Sequence, residues 1–181
     1  MPEYNFKYNF WINVVFYYAV WLVAVFGRDD WAWLVFLLLV VHVAWVDHRV
    51  REIMLMIVVA AIGLSVDSAI AFSGLYAFER TMPLLPIPFF LIAIWLGFGG
   101  TLRHALAYFV FNRPLLGVIF AALGGPAAYW AAQRAGAVEF PQGLVVTLAL
   151  LAGLWAIMWG LFVLIAREFF PELAPVGDAA P

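Results

Sequence analysis

Charged residues divide this chain into apolar runs, each close to the length of a bilayer crossing. The first, "YNFWINVVFYYAVWLVAVFG", lies between Lys7 and Arg28, and the second, "WAWLVFLLLVVHVAWV", between Asp30 and Asp47. A third covers residues 53–78 and is interrupted by Asp67. After the breaker "PLLPIP" a fourth covers residues 89–111 and encloses Arg103 and His104. The fifth and sixth occupy residues 115–133 and 144–165. A helical span needs about 20 largely apolar residues, so the pattern predicts an all-α polytopic membrane protein, a six-transmembrane-helix bundle. The runs are continuous rather than alternating, which excludes a β-barrel. Short connections make sequential helices antiparallel neighbours in one domain, residues 1–170. The remaining "PELAPVGDAAP", residues 171–181, has no periodicity and is expected to be a disordered tail.

Composition agrees. Of 181 residues 67% are hydrophobic and only 11% charged, where a soluble domain is about half apolar and a quarter charged. A net charge of −2 gives no footprint for nucleic acid. The lack of cysteine removes disulfides, thiol catalysis and thiolate metal sites. The start, "MPEYNFKYNFW", lacks the cationic region of a signal peptide, so the first helix is expected to be retained. With six spans, one side carries Lys7, Arg49, Arg51, Arg113 and Arg167 and the other Arg28, Arg80 and Arg134. The excess of Lys and Arg places both termini in the cytoplasm. The tryptophans read as an aromatic belt at the membrane interfaces.

Against this background three ionisable residues stand out, because each costs several kcal/mol inside a span unless paired or hydrated. Asp67 lies near the middle of the third run, flanked by Ser65 and Ser68. Arg103 lies on the next, antiparallel run, at a depth differing by about 9 Å if both spans are centred, within reach of a long guanidinium stem. Arg103 is therefore expected to be the counter-ion of Asp67, whether as a structural clasp or within a polar site. His104 points about 100° away from Arg103 on a helix and is left without an evident partner. Asp67 and His104 are the catalytic candidates. His42, at a similar depth to His104, offers one way to bracket a haem, but no cofactor is expected. There is no HEXXH, no EXXH pair and no histidine-rich box, so no metal site is expected either. No G-x-S-x-G marks a serine nucleophile.

The fifth run, "GVIFAALGGPAAYWAAQRAGA", carries small residues every fourth position: Gly117, Ala121, Gly125, and Gly124, Ala128, Ala132, Gly136. Such stripes let helix backbones approach closely. Pro126 is expected to kink the span after Gly124 and Gly125. Gly124, Gly125, Pro126 and Tyr129 are thus candidates for either tight packing or a polar pocket at an opened turn.

Three segments, "GLSVDS" (63–68), "WLGFGGTLRHALAYF" (95–109) and "ALGGPAAYWAAQRAGAV" (122–138), give the chain a resemblance to domain-of-unknown-function family 2878, small bacterial inner-membrane proteins. In that family's pattern the position of Arg103 is usually Asn, followed by His and a small polar residue where this chain has Ala105. The resemblance therefore implies that Asp67 and His104, rather than Arg103, would carry any shared activity. It also implies an inner-membrane location. An association of such proteins with membrane fatty-acid modification favours lipids as partners.

Three functions fit. The first is an enzyme or accessory factor acting on lipids or another apolar substrate, with His104 shuttling protons and Asp67 or Arg103 orienting an acidic headgroup. The second is a structural or assembly subunit docking with other integral membrane subunits. The third is a small transporter or channel; six helices suit half of an inverted-repeat carrier, but the two halves share no internal similarity.

Overall fold

In a computed structural model that describes residues 6–174, the chain is all-helical. The helices are α1 (Phe6–Gly27), α2 (Ala32–Trp45), α3 (Arg49–Phe72), α4 (Phe90–Gly99), α5 (Pro114–Arg134) and α6 (Leu144–Phe169). Four helical stretches are long and apolar enough to cross a membrane: Phe10–Trp45, Arg49–Phe72, Pro114–Arg134 and Leu144–Phe169. The first takes in α1 from Phe10 onward and all of α2. A 3₁₀ turn, Arg28–Trp31, joins them, with Arg28 at φ 50°, and α2 packs back against α1. Large apolar side chains cover the outside; Val15, Phe26, Leu123 and Ile157 are all exposed. A surface of that kind is stable in hydrocarbon and not in water. The chain is a membrane protein.

At two of the six expected spans the helix is shorter than the apolar run. The second run yields only 14 helical residues and the fourth only 10, about 21 and 15 Å at 1.5 Å per residue. In the fourth, "GFGG" explains the early stop. Gly99 lies so close to α3 that a Cβ there would stand 2.8 Å from the Met56 Cα. Beyond Gly100 the chain runs through consecutive turns, with Thr101 N–H bonded to Phe98 O and His104 N–H to Thr101 O. It regains helical winding only in a π-helical turn, Tyr108–Asn112.

Backbone outside a regular helix is tolerated at membrane depth only where it is buried in protein or lines a wet cavity. Residues 97–105 are all buried. Asn13 of α1 supplies part of the missing pairing: its amide donates to Gly100 O (3.1 Å), and its side-chain oxygen accepts from Ala105 N–H (3.2 Å).

The core explains the small-residue stripe. A Cβ on Gly63 would meet the Trp95 ring at 2.1 Å, one on Gly125 the Trp155 ring at 2.2 Å, and one on Gly117 the Trp159 ring at 2.4 Å. Trp95 and Trp155 stack at 5.4 Å between α4 and α6. Trp11, Trp31, Trp33 and Trp45 are exposed near helix ends, as an aromatic belt requires, whereas Trp95, Trp155 and Trp159 are core residues. Of the two stripes on α5, Gly117–Ala121–Gly125 does the packing, and Gly124 has nothing within 4 Å of a Cβ. α5 continues as one helix through Pro126, so no opened turn forms there.

The first residues of the expected tail are ordered. Pro171–Leu173 forms a 3₁₀ turn, held by Arg51, which bridges Glu172 at 2.9 Å and donates to Phe169 O at 3.2 Å. Residues 175–181 lie outside the described residues.

A buried histidine, glutamate and arginine cluster as the candidate site

The link between α2 and α3 is three residues long and turns through His48, which has φ 53°. This brings the last turn of α2, with His42, against the first turn of α3, with Glu52. An acidic residue is favoured in a first turn by the unpaired N–H groups and the helix dipole. Glu52 is fully buried, however, so it also needs specific partners.

Arg103 and His104 supply them from the turns after α4. Arg103 Nε lies 2.9 Å from Glu52 Oε2. His104 Nε2 and His42 Nε2 each lie 3.2 Å from the other oxygen, Oε1. The guanidinium also donates to Asp47 O at 3.0 Å and covers the Phe170 ring at 4.7 Å. His42 stacks on Phe16 at 4.8 Å, and Gly100 leaves room for it, since a Cβ there would stand 2.8 Å from His42 Nε2. The four side chains are all buried. With both imidazoles neutral, one carboxylate and one guanidinium cancel, and each imidazole as its Nε2–H tautomer donates to Oε1.

A cavity of about 120 Å³ opens beside this cluster. Asn13, Asp47, Arg103, His42 and His104 form its polar wall, with Phe16, Val41 and Trp45 among its apolar residues.

Asp67 sits elsewhere. It is 15 residues beyond Glu52 on α3, about 22 Å along the axis. The expected Asp67–Arg103 pair is therefore corrected: Arg103 engages Glu52, and Asp67 is held by neutral donors. Tyr76 and Tyr129 hydroxyls donate to Oδ1 at 2.5 and 2.6 Å, and Trp95 Nε1–H donates to Oδ2 at 2.6 Å. These donors come from the loop after α3, from α5 and from α4, so the carboxyl ties three segments to its own helix. Ser65 and Ser68 bond back to carbonyls of α3, at 2.7 Å each. Tyr129 thus belongs to the Asp67 cluster, while Gly125 and Pro126 are buried packing positions.

The structure therefore joins His42, Arg103 and His104 and leaves Asp67 and Tyr129 in a second cluster. The His42 and His104 rings lie 5.6 Å apart, and both Nε2 atoms converge on Glu52 Oε1. Sequence reasoning missed Glu52, because "DHRVRE" reads as a charged loop and α3 was expected to start at residue 53 rather than Arg49. A helix start four residues earlier, at the "DHR" turn, would have brought Glu52 inside.

No curated protein and no solved structure matches this chain. One family does, described as Protein of unknown function (DUF2878), over residues 10–161. That range takes in His42, Glu52, Asp67, Arg103, His104 and Tyr129. The chain belongs to this family of uncharacterised proteins.

Proposed function

We propose that this is a bacterial inner-membrane protein that takes the polar end of a lipid, or of another apolar molecule, into the cavity beside Glu52 and assists its modification there. The observation that carries this reading is the composition of the cavity wall. Phe16, Val41 and Trp45 suit a hydrocarbon chain, while Asn13, Arg103, His42 and His104 suit a polar or anionic headgroup. His104 and His42 are the proton-transfer candidates, and Arg103 orients the headgroup. Asp67 serves as a clasp. The chain crosses six times in this reading, with α2 and α4 completed by the turns next to them. Both termini face the cytoplasm, on the Arg-rich side.

Purification in mild detergent followed by lipid extraction tests this. The native protein retains a stoichiometric lipid, and Val41→Trp, which fills the cavity from its apolar side, releases it while the unfolding temperature stays the same. Cells carrying His104→Gln show the lipid composition of cells lacking the protein. Equal lipid retention by native and Val41→Trp protein would overturn the reading.

One observation favours transport as a second reading. The interrupted backbone after α4, next to buried polar groups, is the arrangement used by carriers with broken helices. A substrate or proton flux across liposomes that requires His104 would establish it over lipid modification.

A further inference from the structure

We propose that His42, Glu52 and His104 form a binding site for one divalent transition-metal ion, of the zinc or iron(II) class. This deepens the reading just given, on which it rests for its use, since the metal would act on whatever enters the same cavity.

The donor set is the first reason. His42, Glu52 and His104 each offer one ligand atom, and all three atoms lie within 4.8 Å of one another. The two nitrogen-to-oxygen separations are 3.2 Å. Two ligands about 2.0–2.2 Å from a shared ion stand no more than about 4.4 Å apart, so both nitrogen–oxygen pairs suit an ion as they stand, and the two imidazoles close on each other by a few tenths of an ångström to share it. Two imidazoles and one carboxylate are the ligands of zinc hydrolase sites and of non-haem iron sites, both of which keep open positions for water or substrate.

The surroundings are the second reason. Ligating carboxylates are themselves commonly held by a hydrogen-bond partner that fixes their orientation. Here the Arg103 guanidinium holds Oε2 as an ion pair at 2.9 Å, without a hydrogen bond between Nε and Oε2, and leaves Oε1 facing both imidazoles. The Phe16 ring fixes the plane of His42. His42 and His104 also line the cavity, so an ion held between them lies next to a space that can take water or an anionic oxygen. Binding shifts the proton of each imidazole from Nε2 to Nδ1, and both rings stay neutral. With Glu52 and Arg103 cancelling, the ion adds two positive charges, which favours an anionic group as the exogenous ligand.

Full-length protein without a histidine tag, stripped with a chelator and titrated with Co²⁺ in detergent without added lipid, tests the site. The native chain takes up one Co²⁺ with visible ligand-field bands and at least two nitrogen ligands by X-ray absorption. His42→Gln and His104→Gln each weaken uptake by more than about 100-fold, the upper end of what loss of a merely supporting residue does. His48→Gln, which alters an exposed histidine in the adjacent link, leaves it unchanged. Substoichiometric uptake, fewer than two nitrogen ligands in the native spectrum, or dependence on His48 each overturn the proposal. The native spectrum decides even if the variants fail to fold. Lipid retention measured in chelator tests the cavity reading separately, so either can fail alone.

Discussion

Glu52 is engaged from three sides, and the substitutions it tolerates depend on what each leaves behind. Glu52→Gln strands the buried guanidinium of Arg103 and is expected to destabilise the protein by about 3–5 kcal/mol, read as a lowered denaturant midpoint in detergent. Glu52→Gln combined with Arg103→Gln removes both charges and should recover part of that loss; additive losses would mean that the two residues are not coupled. In the second cluster, Tyr129→Phe removes one of three donors to Asp67, a loss of about 1.5–3 kcal/mol, and should leave Co²⁺ uptake unchanged because the clusters are about 22 Å apart. A change in uptake would show that they communicate. Asp67, Arg103 and His104 were legible in the sequence as residues that a membrane span does not carry idly, but their pairing was not. The pairing depended on Arg103 and His104 diverging by about 100°, which holds only on an α-helix. In the turns after Gly100 both side chains reach the same carboxylate, and no periodicity in "GGTLRHALAYF" announces those turns.

At the scale of elements, α5 presents two adjacent glycines in opposite circumstances. Gly125→Ala drives a methyl into the Trp155 ring and should cost about 1–3 kcal/mol. Gly124→Ala, with open space around it, should be neutral or stabilise by up to about 1 kcal/mol through helix propensity. Thermal unfolding of the two variants side by side checks this, and equal effects would contradict the packing described. The stripe was readable from spacing alone. Which stripe packs, and that α5 continues through Pro126, depended on tryptophans of α6 whose direction a single run does not reveal. Likewise, the run 89–111 is continuous in hydropathy but not in helix. Its division was hidden because Asn13, the residue that substitutes for lost backbone pairs, lies about 90 positions away on another helix.

For the whole molecule, the all-helical membrane character followed from composition, since too few polar residues exist to cover a soluble globule. The proposed orientation makes a direct prediction. The chain has no cysteine, so single cysteines report without background. Glu172→Cys is expected to react with a membrane-impermeant thiol reagent only from the cytoplasmic face, and Glu79→Cys only from the opposite face. Reaction of both from one side would overturn the six-crossing topology.

Asn13 also has a consequence for biogenesis. A chain that emerges N-terminus first places this amide in the membrane long before Gly100 and Ala105 are synthesised. Until they arrive, α1 carries an unsatisfied polar group in lipid, and Glu52 waits for Arg103 and His104 in the same way. A product that ends between Glu52 and Gly100 displays both defects together. Incomplete chains therefore expose polar groups that the finished fold pairs only when the fourth hydrophobic segment docks.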